Sequence, residues 1–228
     1  MKKNIKKVQK RNFGNGSISN RGSETRNMIL EAARKVFATH PYNAASIRMV
    51  AAQGDFYHGL LRYHFPNKAS LFEAVVEDAC HSLYNANKKW LTEVSHYPPA
   101  KGLSVYLNRF IDYFREYPEM FQIIVKSSSH DDPATLPGYH HLKALLADTR
   151  RDFENILPGL FSQKDVNRFL TGLNALILHF LGFSSMEAEI IGFPGPDENY
   201  LRWVKETLYF IFLPVLEKTV SVSAKADK

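Results

Sequence analysis

The sequence predicts an all-α fold: a unit of three short helices near the N-terminus, followed by a larger helical domain. Two observations carry this. Apolar residues recur at three- and four-residue spacing along nearly the whole chain, and clusters of Pro, Gly and Asn punctuate the runs. No convincing alternating run of the kind that builds a half-buried strand is present. With 228 residues, 45% hydrophobic and 13% aromatic, the chain can bury a substantial core.

Taken in order, residues 1–22 are polar and basic, with Gly14, Gly16 and Gly22, and read as a flexible arm. Met28, Ile29, Ala32, Ala33, Val36 and Phe37 form the apolar stripe of a first helix, which Pro41 and Asn43 end. Ser46 is placed to cap a second helix, Ile47 to Gln53, by accepting from an otherwise unpaired first-turn amide. Gly54 and Asp55 stop it, and a third helix runs from near Tyr57 to His64, with Pro66 just beyond. Two short helices joined by about four residues including a glycine are the sequence form of a helix-turn-helix, which places its second helix in a DNA groove. The unit is assigned to residues 23–83, and the larger helical domain to 84–220.

That larger domain opens with the continuation of a long helix from Lys68 to about Val94, ended by Tyr97, Pro98 and Pro99. Leu103, Tyr106, Leu107, Phe110, Ile111 and Phe114 form the stripe of the next, which stops near Pro118. A short helix over Glu119 to Ser129 precedes a loop marked by Asp131, Asp132, Pro133, Pro137 and Gly138. His141 to Ile156 follows, then a turn at Pro158 and Gly159. Two final helices cover about Lys164 to Ile191 and Glu198 to Val220, and residues 221–228 read as a disordered tail.

Charge divides the chain at the same place as the helices. The whole is +6 with a pI near 9.3. Up to Phe72, thirteen lysines and arginines stand against three acids, a balance of +10, which leaves −4 for the remainder. A positive module joined to a slightly negative one fits a protein that meets a polyanion with one end. The single cysteine, Cys80, excludes an intramolecular disulfide and suits a reducing compartment. The start MKKNIKKVQKRNF lacks the apolar core of a signal peptide. Phe169 to Phe183 falls short of the ~20 residues that span a bilayer and contains Asn174 and His179. The expected setting is therefore cytoplasmic, away from membranes.

Catalytic and metal chemistry find no support. No glycine-rich phosphate loop, Gly-x-Ser-x-Gly elbow or HExxH pattern occurs, and the chain is not expected to be an enzyme or to need a cofactor. His130, Asp131, Asp132, His140 and His141 lack the i, i+4 spacing of a helical zinc site, and adjacent His140 and His141 point to different faces of a helix. They read as surface polarity, with no metal expected.

Arg26, Ile29, Leu30, Ala32 and Ala33, then Ser46, Arg48 and Ala51, then Gly59, Leu61, His64, Phe65 and Lys68 resemble, in order and spacing, the TetR family of bacterial transcriptional regulators. The resemblance covers roughly Ser23 to Leu83. It implies a homodimer that binds a palindromic operator in double-stranded DNA, at the nucleoid when bound, and acts as a repressor released by a small ligand. The aromatic-rich second half suggests that this ligand is mostly apolar. An architectural DNA-binding protein without an inducer, and a helical carrier of a hydrophobic molecule, are the alternatives. The chain departs from the family in having Asp55 where a Gly is usual, Tyr57 where a Ser is usual and Arg62 where a Tyr is usual. Loss of the Ser removes a cap for the recognition helix, and Asp55 is expected to cap from a shifted position. Arg62 keeps a phosphate-reaching group and adds a charge.

With Leu61 turned to the core, 100° per residue points Gly59 and Tyr63 outward, sets Leu60 and Arg62 on the flanks and puts Tyr57 and His58 at the leading end. His58, Gly59, Leu60 and Tyr63 are candidates for base readout, Leu60 against a thymine methyl. Arg62 and Lys68 are assigned to phosphate. By the resemblance, Arg48 and the cap residue Ser46 join this surface, while His64 reads equally as packing. The basic arm reads either as a groove or phosphate contact, or as a solubilising extension. Trp90, Phe110, Tyr113, Phe114, Tyr117, Phe121, Phe153, His179 and Phe183 are candidates to line a ligand cavity, most such aromatics being plain core. Phe169, Leu173, Leu176, Ile177, Phe180 and Leu181, with Leu208, Ile211, Phe212, Val215 and Leu216, recur at helical spacing as the expected two-fold interface. The alternative is that one of these helices is the subunit's own core.

Overall fold

A computed structural model describes residues 16–128, 132–157 and 161–226, and among them there are only helices and turns. In α1 (Gly16–Thr39), Ile29, Leu30, Ala32, Ala33, Val36 and Phe37 are buried on one face. Met28, expected on that stripe, is 57% exposed: it lies one residue before the first buried turn and off the face set by Ile29 and Ala33. The helix begins at Gly16, so residues 16–22 are not the flexible arm that was expected. Composition pointed to an arm, but a polar segment joined to a formed helix extends it at one hydrogen bond per added residue and needs no core of its own. Residues 1–15, the rest of that arm, lie outside the described residues.

α2 (Ile47–Gly54) starts where its cap requires, the Ser46 hydroxyl accepting from the Met49 amide at 3.3 Å. Asp55 then closes this helix with φ 53°, donating its own N–H to the Ala51 carbonyl. Asp55 therefore does not cap the recognition helix. It occupies a left-handed position at which glycine is the unstrained choice and Asp one of the tolerated substitutes. α3 (His58–His64) begins after Tyr57 with no side-chain cap.

α4 (Lys68–Val94) is fixed by a reciprocal capping box between Asn67 and Ser70. Its first turns belong to the head: Phe72 meets the Phe37 ring edge-on and the Tyr42 ring tilted, each at 4.8 Å. Its last turns belong to the body, where Trp90 sits edge-on against Phe110 at 4.9 Å and Tyr113 at 5.6 Å. One helix thus spans both halves. Around it pack α5 (Pro99–Glu116), α6 (Pro118–Ser128), a single 3-10 turn at Pro133–Thr135, α7 (Tyr139–Ile156), α8 (Gln163–Gly182), α9 (Ser184–Ile190) and α10 (Glu198–Ala226). His130, Asp131 and the expected turn at Pro158 and Gly159 lie outside the described residues.

Two boundaries differ from expectation. The helix expected from Lys164 to Ile191 is two helices, α8 and α9, meeting at an 85° bend. Gly182 passes so close to α6 that a Cβ there would lie 2.2 Å from Val125 Cγ2, and the Tyr200 hydroxyl donates to the Phe180 carbonyl at 2.6 Å. Gly182 and the Ser184–Ser185 pair mark a weak point in the sequence, and the contacts that fix the bend there come from distant segments. No single helix among the described residues is long and apolar enough to cross a membrane. The tail expected to be disordered from Ser221 is helical to Ala226, and residues 227–228 lie outside the described residues.

Buried polar groups stitch α4 to its neighbours. The Tyr106 hydroxyl donates to Asn87 Oδ1 at 2.6 Å, Asn87 Nδ2 donates to Thr149 at 3.4 Å, and the Tyr84 hydroxyl donates to Asp152 at 2.7 Å. Full burial pushes the Tyr106 phenol well above its ordinary value, so it stays a donor. Head and body also meet where Lys126 of α6 donates to the Ala38 carbonyl, and where Arg34 pairs with Asp78 at 3.0 Å.

Candidate nucleic-acid interface and ligand cavity

α3 presents its two faces unequally. Leu61 is 0% exposed and Phe65 4%, and they hold the helix against the head's core. On the far side Tyr57 is 83% exposed and Tyr63 84%, with His58, Gly59, Leu60 and Arg62 also in solvent. Leaving two tyrosine rings in water forfeits the stabilisation their burial would bring, so this face is built to meet something other than its own chain. Gly59 makes room for Tyr57: a Cβ there would lie 2.8 Å from the Tyr57 ring. Arg48, on α2, is exposed on its own helix. The Ser46 hydroxyl is engaged as helix cap, and His64 is half-buried, edge-on to Tyr63 at 5.1 Å.

Lys68 departs from its assignment as a phosphate-reaching arm. Its ammonium donates to the Tyr42 carbonyl at 2.9 Å and the Ala45 carbonyl at 3.2 Å, and stands 4.4 Å from the centre of the Tyr42 ring. The group is turned back onto the loop between α1 and α2, and Arg62 stands exposed on the reading helix's flank. Arg26, which carries the resemblance but was given no role there, stacks on Phe65 at 5.2 Å and braces the end of α3.

Two partly open cavities lie in the body among the described residues. One, of about 270 Å³, lies between the ends of α4 and α5 and the helices α7, α8 and α10, lined by Leu91, Val94, Leu103, Phe153, Leu173 and Leu216 among others. Its few polar groups include Ser95 and the Tyr97 and Tyr106 side chains. The other, about 60 Å³, is lined by Phe110 and Phe121 and by the polar trio Asn87, Thr149 and Asn174. Of the residues expected to face a ligand, Phe110, Phe121 and Phe153 do line a cavity. Trp90, Tyr113, Phe114 and Tyr117 line neither of these two. The first three are buried in ring-on-ring packing, and Tyr117 lies against Tyr113 at 5.0 Å. His179 pairs with Glu187 of α9 at 2.8 Å on the outside of the body, and Phe183 is 40% exposed. The aliphatic residues lining the larger cavity carried no sequence signal, because a cavity wall and a packed core have the same composition and period.

The expected interface is split in the same way. Phe169, Leu173, Ile177 and Leu181 of α8, with Leu208, Phe212 and Leu216 of α10, are buried inside the subunit, Phe169 meeting Phe212 at 5.3 Å. These residues are the subunit's core, because α8 and α10 are apolar on more than one face and the inner one is used first. Leu176 and Phe180 are partly buried, while Ile211 is 40% exposed and Val215 46%. Phe210 on α10 and Met186 and Ile190 on α9 are also exposed, at 80%, 50% and 69%.

This architecture and this head have relatives. Residues 29–75 match the profile of the bacterial regulatory proteins, tetR family. A segment of 115 residues is 25% identical to the HTH-type transcriptional repressor NicS of Pseudomonas putida; the match spans 50% of this chain and 53% of NicS, about half the length of that relative. Among solved structures, the fatty acid degradation regulator FadR from Bacillus halodurans superposes with a TM-score of 0.63 at 13% identity, over 83% of this chain and 94% of that one. A tetR-family transcriptional regulator from Streptomyces coelicolor gives 0.57 at 15% identity, over 90% and 83%. Residues 29–75 thus carry the DNA-binding head that the tetR family of bacterial regulatory proteins has, and the helical body shares the fold of these structures.

Proposed function

We propose that the chain is a dimeric, sequence-specific DNA-binding transcription regulator, a repressor that leaves a pseudo-palindromic operator when a mostly apolar small molecule enters the cavity of about 270 Å³. The observation that carries the DNA reading is the face of α3, where Tyr57, His58, Leu60, Arg62 and Tyr63 stand in solvent around a helix anchored by Leu61 and Phe65. In this arrangement Tyr63 and His58 read base edges, and Arg62 holds phosphate. One such helix covers few base pairs, so two copies across a two-fold axis supply the specificity. The exposed apolar side chains of α9 and α10, Met186, Ile190, Phe210, Ile211 and Val215, are the surface on which the second copy fits.

The ligand reading rests on the lining of the cavity, which is aliphatic and aromatic with few polar groups, and whose volume suits a small apolar body. Selection of random duplex DNA on the full-length protein tests the first reading: half-sites related by a dyad and spaced by about one helical turn are expected. Enrichment of no sequence would sink it. Titration with straight-chain acyl compounds, planar aromatics and polar metabolites tests the second, read through the emission of Trp90, which lies 6.4 Å from the cavity residue Tyr106. Tight binding of a polar metabolite alone would overturn the apolar assignment.

A further inference from the structure

We propose that Glu73, His140 and His141 form a binding site for a transition-metal dication of the zinc class, which clamps the head-proximal turns of α4 to the first turn of α7. The sequence assigned these histidines to surface polarity on the ground that neighbours on a helix diverge. The fold brings them together instead. Their rings lie 3.9 Å apart at an interplanar angle of 39°, at the start of α7, where the side chains are free to lean the same way. One ligand atom from each imidazole and one carboxylate oxygen of Glu73 all fall within 4.8 Å of one another.

The backbone accounts for the convergence. Gly138 precedes α7 with φ 80°, and a Cβ there would lie 3.0 Å from Val76 Cβ and 3.3 Å from Glu73 Cα. The start of α7 is therefore pressed against α4 at the turn that carries Glu73. A residue with a side chain would push it away, and with it both histidines.

The three groups suit a metal better than they suit each other. His140 Nε2 stands 3.9 Å from Glu73 Oε1, beyond hydrogen-bond range, and among the described residues no side-chain hydrogen bond engages any of the three. Donors around a tetrahedral zinc at bonds of ~2.0–2.1 Å sit about 3.4 Å apart, so side-chain rotation alone closes the set. Room for that rotation exists, since the His140 side chain is 67% exposed and that of Glu73 44%. Two imidazole nitrogens and one carboxylate oxygen leave a fourth tetrahedral position for water, the donor set of an open zinc site. Nitrogen donors select zinc, cobalt, nickel or copper over magnesium and calcium, which take oxygen. The site also borders a groove of about 140 Å³ that shares His141 and carries Glu77, His81 and Asp148. Of these, Glu77 adds negative charge and His81 a further donor, while Asp148 is paired with Arg151 at 2.5 Å. The positive end of the α7 dipole opposes a cation only weakly at an exposed helix end, which is small beside three coordinate bonds.

The experiment uses the full-length chain stripped with a chelator. It is titrated with ZnCl₂ in a calorimeter and with CoCl₂ under visible absorption. One ion per chain is expected, with the intense d–d bands of tetrahedral cobalt and a rise in melting temperature on loading. His140→Ala/His141→Ala is expected to abolish the bands. Glu73→Gln, which removes one ligand and leaves both rings in place, is expected to weaken binding by roughly tenfold or more, since even partners outside the coordination sphere cost 10–100-fold. Neither change touches the core, and apo melting temperatures check the fold. Absence of saturable binding, or binding of equal strength in the double variant, overturns the site. No DNA enters the measurement, so its failure is separate from failure of the regulator reading.

Discussion

Replacing Lys68 by Met tests which of two roles the residue has. The ammonium makes two hydrogen bonds to carbonyls, at 2.9 and 3.2 Å, and lies 4.4 Å from the Tyr42 ring centre. Hydrogen bonds from a charged donor contribute ~1.5–3 kcal/mol each, and a cation over an aromatic face ~0.5–1 kcal/mol at exposed sites. Two terms reduce the sum. Lys68 is only half-buried, so water replaces part of what is lost, and as the first residue of α4 it opposes the helix dipole by ~0.3–1 kcal/mol. Methionine keeps the apolar stem against Tyr42. The expected net loss is about 2 kcal/mol, a fall of ~4–8 °C in melting temperature for a chain of this size. Operator affinity measured against salt should keep its slope, because no phosphate contact is removed. Thermal unfolding and binding at several ionic strengths are the two assays. An unchanged melting temperature together with a slope reduced by ~0.9 would show that the ammonium leaves the loop for a phosphate on DNA, and the staple reasoning would be wrong.

Arg62→Ala should weaken binding to all sequences alike and lower the salt slope by ~0.9, whereas Tyr63→Ala should change which sequences a binding-site library yields; identical profiles for the two would refute the orientation of α3. Asp55→Gly, at φ 53°, should raise stability by ~0.5 kcal/mol, relief of left-handed strain outweighing the added freedom of the unfolded chain, and a lower melting temperature would count against it. Ile211→Asp combined with Val215→Arg should leave a folded monomer by light scattering, since both positions are exposed on the subunit; a persisting dimer would remove α10 from the interface. Cys80 is pushed up to about 12 by burial, so the folded chain keeps a proton that the unfolded chain releases above the ordinary thiol value. Its contribution to stability should therefore be constant below about pH 8.5 and decline as pH rises toward 12, a slope that Cys80→Ala removes in melts between pH 8 and 10.5.

The head was legible because its rules are local. Ser46 capping α2, Leu61 facing inward with Tyr63 outward, and the start of α4 after Pro66 all follow from residues within a few positions of one another. What failed to be legible depends on partners far along the chain. Lys68 is held by carbonyls of Tyr42 and Ala45, the α8–α9 bend is set by Val125 and Tyr200, and His140 meets Glu73 only after α7 docks. The residues that α8 and α10 turn into the subunit were illegible for a different reason. A helix that is apolar on two faces has one amphipathic signal too many, and its sequence does not say that Phe169, Leu173 and Ile177 point inward while Ile211 and Val215 of α10 remain outside.

The same long-range contacts set the requirement for ligand control through α4. From Lys68 to Leu91 the helix rises ~35 Å at 1.5 Å per residue, with the loop staple at one end and the wall of the larger cavity at the other. A ligand that displaces Leu91 by about 1 Å tilts a rigid rod of that length by only a few degrees when it pivots on the packing at its middle. The recognition helix, at the opposite end, then moves by a similar amount, and a two-fold dimer doubles the change in spacing between its two reading heads. Coupling of ~1–3 kcal/mol, or roughly 5- to 150-fold in operator affinity, is the scale such shifts reach, provided that the head follows α4 as one body. That proviso rests on the packing of α1 on α4, where Phe72 meets Phe37 and Tyr42, and on two polar ties, Arg34 to Asp78 and Lys68 to the α1–α2 loop. Lys126 of α6 ties Ala38 to the body by a second route that bypasses α4, so it resists the tilt that the first three contacts transmit. Loosening the head from α4 should accordingly lower the response to ligand even where operator affinity without ligand is kept, and loosening it from α6 should raise it. Lys68→Met and Lys126→Met are therefore expected to shift the ligand response in opposite directions, measured as the ratio of operator affinities with and without the acyl compound that binds best. A shift in the same direction in both variants would mean that the head does not move with α4.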